Sequence, residues 1–152
     1  MTEFAWHTHH EVLVEPLFEP IEVRIEYIKA SKPEHEIDLR LRLLKPVRGA
    51  LPAAVMEAGA ACDQAWAACE QAWAAYEKAK AAAYNQTLPP AATQAWAAYV
   101  QAWAACEQAW AACEQTLSDH AGEIEVLHRQ ECPDCPWDGH TIFSKLGGER
   151  DD

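Results

Sequence analysis

The stretch QAWAACEQAWAAYEKA, residues 64–79, decides the fold because it gives nearly the same seven residues twice and then begins a third time. The heptad returns in QAWAAYVQAWAACEQAWAACEQ, residues 94–115. Each Trp is followed three residues later by Cys or Tyr, and this 3–4 alternation is that of a coiled-coil seam. The remaining positions hold mostly Ala, Glu and Gln, which are good helix formers. The repeat therefore predicts two helices that share an apolar seam.

Prolines set the limits of the two predicted helices. The first helix is expected to run from about Pro52 to Tyr84, because the two prolines of NQTLPPAAT, residues 85–93, cannot lie inside a continuing helix. The second begins at Pro90 and follows the heptad register to about His128. Since so short a turn joins them, we expect the two helices to fold back on each other as an antiparallel hairpin.

The segment before the repeats allows two interpretations. IEVRIEY, residues 21–27, and IDLRLRL, residues 37–43, alternate apolar and charged side chains as half-buried strands do. The apolar residues of these segments also fall on one face of a helix, and Pro33 followed by two glutamates is typical of a helix start. Two short helices are favoured over a β-hairpin.

Together these patterns predict an all-α fold, a coiled-coil-like hairpin of long antiparallel helices with a short segment at each end. Residues 1–50 form the N-terminal segment and residues 51–128 the hairpin, with its turn at 85–90. Residues 129–152 form a C-terminal loop that carries a C-x-x-C pair and a tail. A length of 152 residues fits one domain.

Composition and charge exclude several classes of function. The chain has 12 Lys and Arg against 24 Asp and Glu, a net charge of −12, which argues against binding to a phosphate backbone. The N-terminal residues carry no secretory signal, and the polar residues of each heptad exclude a membrane span, so we expect a cytoplasmic protein. No nucleophile motif, phosphate loop or paired carboxylates rise above chance, and we predict that the protein is not an enzyme.

The seam residues predict packing and association. Cysteines at the seam could bind metal or form disulfides, but a free Cys packs as a small apolar residue, and buried thiols are the favoured interpretation of Cys62, Cys69, Cys106 and Cys113. The Trp columns are interpreted as packing surface rather than a ligand platform. Their apolar arc is wider than one partner helix can cover, so we expect burial against the N-terminal segment and against a second copy, most simply in a dimer that forms a four-helix bundle.

The segment HRQECPDCPWDGH, residues 128–140, carries the chemistry that the sequence offers. Two cysteines in C-x-x-C spacing can hold one zinc ion from a tight turn. Nine residues resemble the start of the retroviral-type zinc knuckle, C-x2-C-x3-G-H, and the resemblance implies the ligands Cys132, Cys135 and His140, with Gly139 permitting the turn. Lys145 stands where the knuckle has its fourth ligand, and His128 can substitute from upstream.

Other interpretations of this segment stay open. A metal-free loop that ends the helix, with Trp137, Ile142 and Phe143 docked on the hairpin, is favoured over zinc, because lone C-x-x-C pairs are common. A redox dithiol is disfavoured, because the pair does not lie at a strand-to-helix junction. Nucleic-acid binding is not implied even with metal, since acidic rather than basic residues surround the cysteines. HTHH, residues 7–10, is expected to be a polar, frayed stretch that binds metal only adventitiously.

The layout of the whole chain resembles a group of uncharacterised bacterial and phage proteins. They share residues like LRLRLLKPV before a variable number of Ala-rich heptads and an ending like ECPDCPWDGHTIF. The resemblance implies no activity. We expect a structural protein, a self-associating helical-hairpin spacer with an unidentified protein partner. The alternative is a zinc-binding regulatory or nucleic-acid-binding module carried on a helical rod.

Overall fold

The structure, a computed structural model, describes residues 3–82 and 90–143. Its contacts divide the chain into two compact units, one made of Met1–Leu51 with Gly122–Asp152, the other of Pro52–Ala121. The segment after the repeats therefore belongs to the same unit as the start of the chain.

The terminal unit contains a small antiparallel sheet. Strand β1 is Glu3–Trp6 and strand β2 is Val14–Leu17; a two-residue strand β3, Lys45–Pro46, pairs with the other edge of β1. Trp6 of β1 pairs with Val14 of β2 and with Lys45 of β3. Its side chain is fully buried. The prediction of a purely α-helical fold is therefore wrong, because four-residue strands are too short to give a periodic signal.

Two helices lie between β2 and β3, as the favoured interpretation predicted. Helix α1 is Ile21–Ser31 and helix α2 is Glu34–Leu43. Helix α1 ends before Pro33 and helix α2 begins after it. The residue before a proline is driven to the extended conformation, and Lys32 adopts it. Both stretches that alternate like strands are thus helical. The core of this unit joins sheet and helices and consists of Ala5, Ile28 and Leu44, with Leu17, Ile21, Ile25, Ile37 and Leu41 packed around them.

The heptads form the predicted pair of long helices. Helix α3 is Ala53–Ala81 and helix α4 is Pro90–Asp119, and they pack along each other. The ring of Trp73 lies 5.0 Å from that of Tyr99, and the ring of Tyr76 lies 5.1 Å from that of Trp96, so the chain directions oppose each other. The predicted end of the first helix at Tyr84 and most of the turn at 85–90 lie outside the described residues.

The four seam cysteines are buried, free thiols, which agrees with the packing interpretation. Burial, followed by the thiols of Cys113 and Cys106 in α4, raises the pKa of Cys62 to about 11, so these α4 residues lie across the seam from it. Burial also raises the pKa of Cys106 and Cys113, so these two thiols and that of Cys62 are protonated at neutral pH. The Trp columns flank the seam, and Trp66, Trp73, Trp96 and Trp103 are 40–45% exposed in this chain.

The predicted continuation of the second helix to His128 holds only with a break. Helix α4 ends at Asp119, His120 lies in a turn, and helix α5 covers Ala121–Glu131. Across the described part of the chain, no helix combines the length and the apolar character needed to cross a bilayer.

Candidate metal centre

Helix α5 and the turn after it provide two residues of the candidate site that the sequence singled out, His128 and Cys135. His128 lies in the last turn of α5 and is 4% exposed. The N–H of Cys132 donates to the carbonyl of His128 at 2.7 Å, and the N–H of Cys135 donates to the carbonyl of Cys132 at 3.1 Å. A helical turn followed at once by a tight turn therefore brings the C-x-x-C pair back beside the helix end.

The third residue, His7, comes from the other end of the sequence. It directly follows β1, and its N–H donates to the carbonyl of Leu13 at 3.1 Å across the connection to β2. Its φ of 52° lies in the left-handed region, which residues other than Gly seldom adopt. The side chain is 1% exposed. Strand pairing on both sides of Trp6 holds this backbone conformation in place and directs the imidazole into the unit.

The three side chains converge on one point. Nε2 of His7 lies 2.9 Å from Nε2 of His128 and 3.2 Å from Sγ of Cys135. One ligand atom from each residue lies within 4.8 Å of the other two, the single such group of His, Cys, Asp or Glu residues in the described chain. A group of two imidazoles and one thiol in this arrangement can hold a metal ion.

Burial sets the protonation states of the two imidazoles. Burial, together with the smaller effect of the neighbouring His128 ring, lowers the pKa of His7 to about 4, while hydrogen bonding with the backbone of Val12 acts in the opposite direction. The pKa of His128 is lowered as well, again chiefly by burial. Both rings are therefore neutral at pH 7, and only a neutral imidazole has a lone pair to give to a metal.

Burial also raises the pKa of the Cys135 thiol. The backbone of Trp137 opposes this effect by hydrogen bonding, and the positive charges of Lys45 and Arg42 oppose it more weakly. Without a metal, the Cys135 side chain is therefore a protonated, neutral thiol. A bound cation would reverse this balance, because a coordinating thiol loses its proton to the metal.

Aromatic rings enclose the group. The Trp6 ring lies 5.1 Å from that of His128, and the Trp137 ring 5.3 Å from that of His7. Trp6 Nε1–H donates to Glu131 at 2.9 Å, and the same carboxylate accepts the backbone N–H groups of Arg48 and Gly49. The Glu131 carboxylate thereby fastens the end of α5 to β1 and to the segment after β3.

Two buried nitrogens near the group have no hydrogen bond of normal geometry within the described chain, His7 Nδ1 and Trp137 Nε1. A metal-bound His commonly donates its second ring nitrogen to an oxygen atom.

The predicted ligand set and the observed group overlap in part. His128 and Cys135 belong to both. Cys132 is buried next to them, but its Sγ is not within 4.8 Å of all three ligand atoms. His140 is exposed, and its N–H donates to Asp138 Oδ1 at 2.9 Å in a turn that Gly139 permits with its φ of 99°. Lys145 lies outside the described residues.

The loop after Cys135 packs onto the start of the chain. The N–H of Ile142 donates to the carbonyl of His10 at 3.0 Å, and the Phe143 ring lies 5.6 Å from the His10 ring. The Arg40 guanidinium stacks 5.0 Å from the same Phe143 ring. HTHH is thus an ordered part of the unit, and the expectation of a frayed stretch is wrong.

No protein-family model, curated protein or solved structure matches the chain.

Proposed function

We propose that this chain is a zinc-binding protein in which His7, His128 and Cys135 hold the ion. The observation that carries the proposal is the convergence of these three buried donor atoms within 4.8 Å, from positions up to 128 residues apart. Imidazole nitrogen and thiolate sulfur are the donors that zinc prefers in proteins.

The distances fit a site that opens slightly on binding. Two nitrogens at about 2.1 Å from a zinc ion and at tetrahedral angles lie about 3.4 Å apart. The His7 and His128 nitrogens are 2.9 Å apart, so each imidazole has to move by only a few tenths of an ångström. The neutral state of both rings removes the competition of protons for the same lone pairs.

A structural role follows from the positions of the ligands. The ion would join the end of β1, the end of α5 and the loop after it, three segments of a unit whose sheet has only short strands. A unit with so little regular structure gains stability from a metal, because the free energy of binding becomes free energy of folding.

The test is zinc affinity measured by competition with a chromophoric chelator. We expect His7→Ala and Cys135→Ala to bind zinc at least about 100-fold more weakly than the wild-type chain, since each loses a direct ligand. His140→Ala is the matched control, an exposed histidine in the same loop, and its affinity should stay within about twofold. Wild-type affinity in His7→Ala would contradict the proposal.

A specific observation favours a second role for the hairpin unit. A groove of about 340 Å³ runs along it and is lined by Trp66, Cys69, Glu70, Trp73, Tyr99 and Trp103. Half-exposed tryptophans in regular columns are unusual on a protein that stays monomeric. We therefore propose a self-associating spacer, in which the Trp columns of two copies pack together as a coiled-coil-like four-helix bundle.

Light scattering tests the association. The wild-type protein is expected to be a dimer at micromolar concentration. Trp103→Glu should be a monomer, because it places a charge in the interface at a cost of several kcal/mol. Gln101→Glu adds the same charge at an exposed position of the same helix and should remain a dimer. A monomeric wild-type protein would show that the Trp columns do not mediate self-association.

Both roles are structural, and we propose a protein without enzymatic activity. The six free cysteines suit the reducing cytoplasm. In that compartment the hairpin would set the distance to an unidentified protein partner, while zinc holds the terminal unit together. Nucleic acid is disfavoured as the partner by the net charge of −12.

A further inference from the structure

We propose that Cys132 is the fourth ligand of the zinc ion and closes the site. The inference rests on the proposed zinc function and deepens it, because a fourth protein ligand makes the site structural. With Cys132 the site becomes a closed set of two cysteines and two histidines, as in structural zinc sites, and leaves no position for a water or a substrate.

The backbone brings Cys132 to the right place. It lies four residues after His128 and continues the hydrogen bonding of α5, with its N–H 2.7 Å from the His128 carbonyl. Residues four apart on a helix share one face, so Cys132, directly after the end of α5, is carried on the same side of the helix axis as His128. The tight turn that follows, with Cys135 N–H 3.1 Å from the Cys132 carbonyl, is the one that lets two thiolates hold one ion.

Burial distinguishes Cys132 from the other candidates for the fourth position. Cys132 is 5% exposed, whereas Glu125, Asp138 and His140 are exposed to solvent. A cavity of about 300 Å³ borders His128, Cys135 and Cys132 together, so the thiol has room to turn toward the others.

The charge of the ion gives an independent reason. Zinc held by two neutral imidazoles and one thiolate keeps a net charge of +1 in a site whose histidines are at most 4% exposed. A second thiolate makes the centre neutral, which removes the cost of burying an unpaired charge. On binding, the Cys132 and Cys135 thiols each release one proton to solvent, and Sγ of Cys132 moves into the group from its present position outside the 4.8 Å set.

The test uses the full chain loaded with Co²⁺, whose absorption spectrum reports its ligands. We expect the thiolate-to-cobalt charge-transfer absorbance of Cys132→Ser to be about half that of the wild-type chain, and the same halving in Cys135→Ser. Added azide should leave the wild-type spectrum unchanged and alter that of Cys132→Ser, in which a water takes the vacated position. His140→Ala should match the wild type in both measurements.

The outcomes separate this inference from the proposed function. Full charge-transfer absorbance in Cys132→Ser, together with an azide response in the wild type, would show an open site of three ligands and overturn the fourth ligand alone. A wild-type chain that takes up no Co²⁺ would overturn both. Should Cys132→Ser fail to fold, X-ray absorption at the zinc edge of the wild type decides, since two sulfurs at about 2.3 Å are expected and one sulfur would refute the inference.

Discussion

At the scale of the residue, Glu131 connects the parts of the terminal unit that hold the candidate centre. Its carboxylate accepts hydrogen bonds from the Trp6 indole and from the backbone N–H groups of Arg48 and Gly49. Burial alone would raise the pKa of Glu131, but these three hydrogen bonds outweigh it and the pKa is lowered. The folded protein therefore favours the ionised carboxylate, and its stability depends on pH.

The sign of that dependence can be tested with Glu131→Gln. Because the folded pKa lies below the ordinary value of 4.5, the contribution of the carboxylate is complete above pH 4.5 and is lost as pH falls through the folded pKa. At about pH 7 we expect Glu131→Gln to be less stable by about 1 kcal/mol, since a neutral acceptor bonds more weakly. Thermal unfolding should show this difference shrinking toward about pH 3.5. A difference that is the same at both pH values would contradict the role of the charge.

The candidate ligands show what the sequence can and cannot predict at this scale. The C-x-x-C spacing and its nearby histidine pointed to Cys135 and His128, because local spacing already limits the geometry. His7 could not be found in this way, since it meets His128 only through the sheet, 121 residues away along the chain. The strand that places His7, Glu3–Trp6, has only four residues with one polar residue followed by three apolar ones, so it gives no alternation that could have marked it as a strand.

At the scale of the element, the heptads were sufficient to predict α3, α4 and their seam. A repeat of seven residues places the same side chains on the same face over many turns, and nothing from outside the hairpin is needed to define that face. The strands β1, β2 and β3 depend instead on one another for their hydrogen bonds, and their sequences alone carry no such information. The heptad spacing of the sequence continues unchanged through His120, whereas the helix is broken there. The repeat therefore did not predict this break.

Deletion of heptads tests the seam. The sequence QAWAACE occurs in α3 as residues 64–70 and in α4 as residues 101–107, and these segments contain the facing Cys69 and Cys106. Removing both should shorten the hairpin by about 10 Å and leave a cooperatively folded, helical protein. Removing only one should lower the melting temperature more than removing both, because one helix loses its partners over two turns. Circular dichroism during heating checks this order.

The reverse order, with the paired deletion less stable than both single deletions, would show that the two helices do not pack in the proposed register. Cys69 and Cys106 would then not face each other between α3 and α4.

At the scale of the whole molecule, the two compact units carry different chemistry. The hairpin unit has a periodic apolar face and buried thiols, which suits packing between helices. The terminal unit has short strands, short helices and a convergent group of two imidazoles and one thiol, which could hold a metal ion. The proposed spacer and the proposed zinc centre thus correspond to different units of the chain.

The metal content of the wild-type chain tests the central claim most directly. Native mass spectrometry of protein incubated with a slight excess of Zn²⁺ and freed of unbound metal counts the ions on each chain. One zinc ion per chain is predicted, bound in the wild type and absent from His7→Ala measured in parallel. A wild-type spectrum of the metal-free mass alone, or one with equal zinc on the wild type and His7→Ala, would contradict a zinc centre at His7, His128 and Cys135.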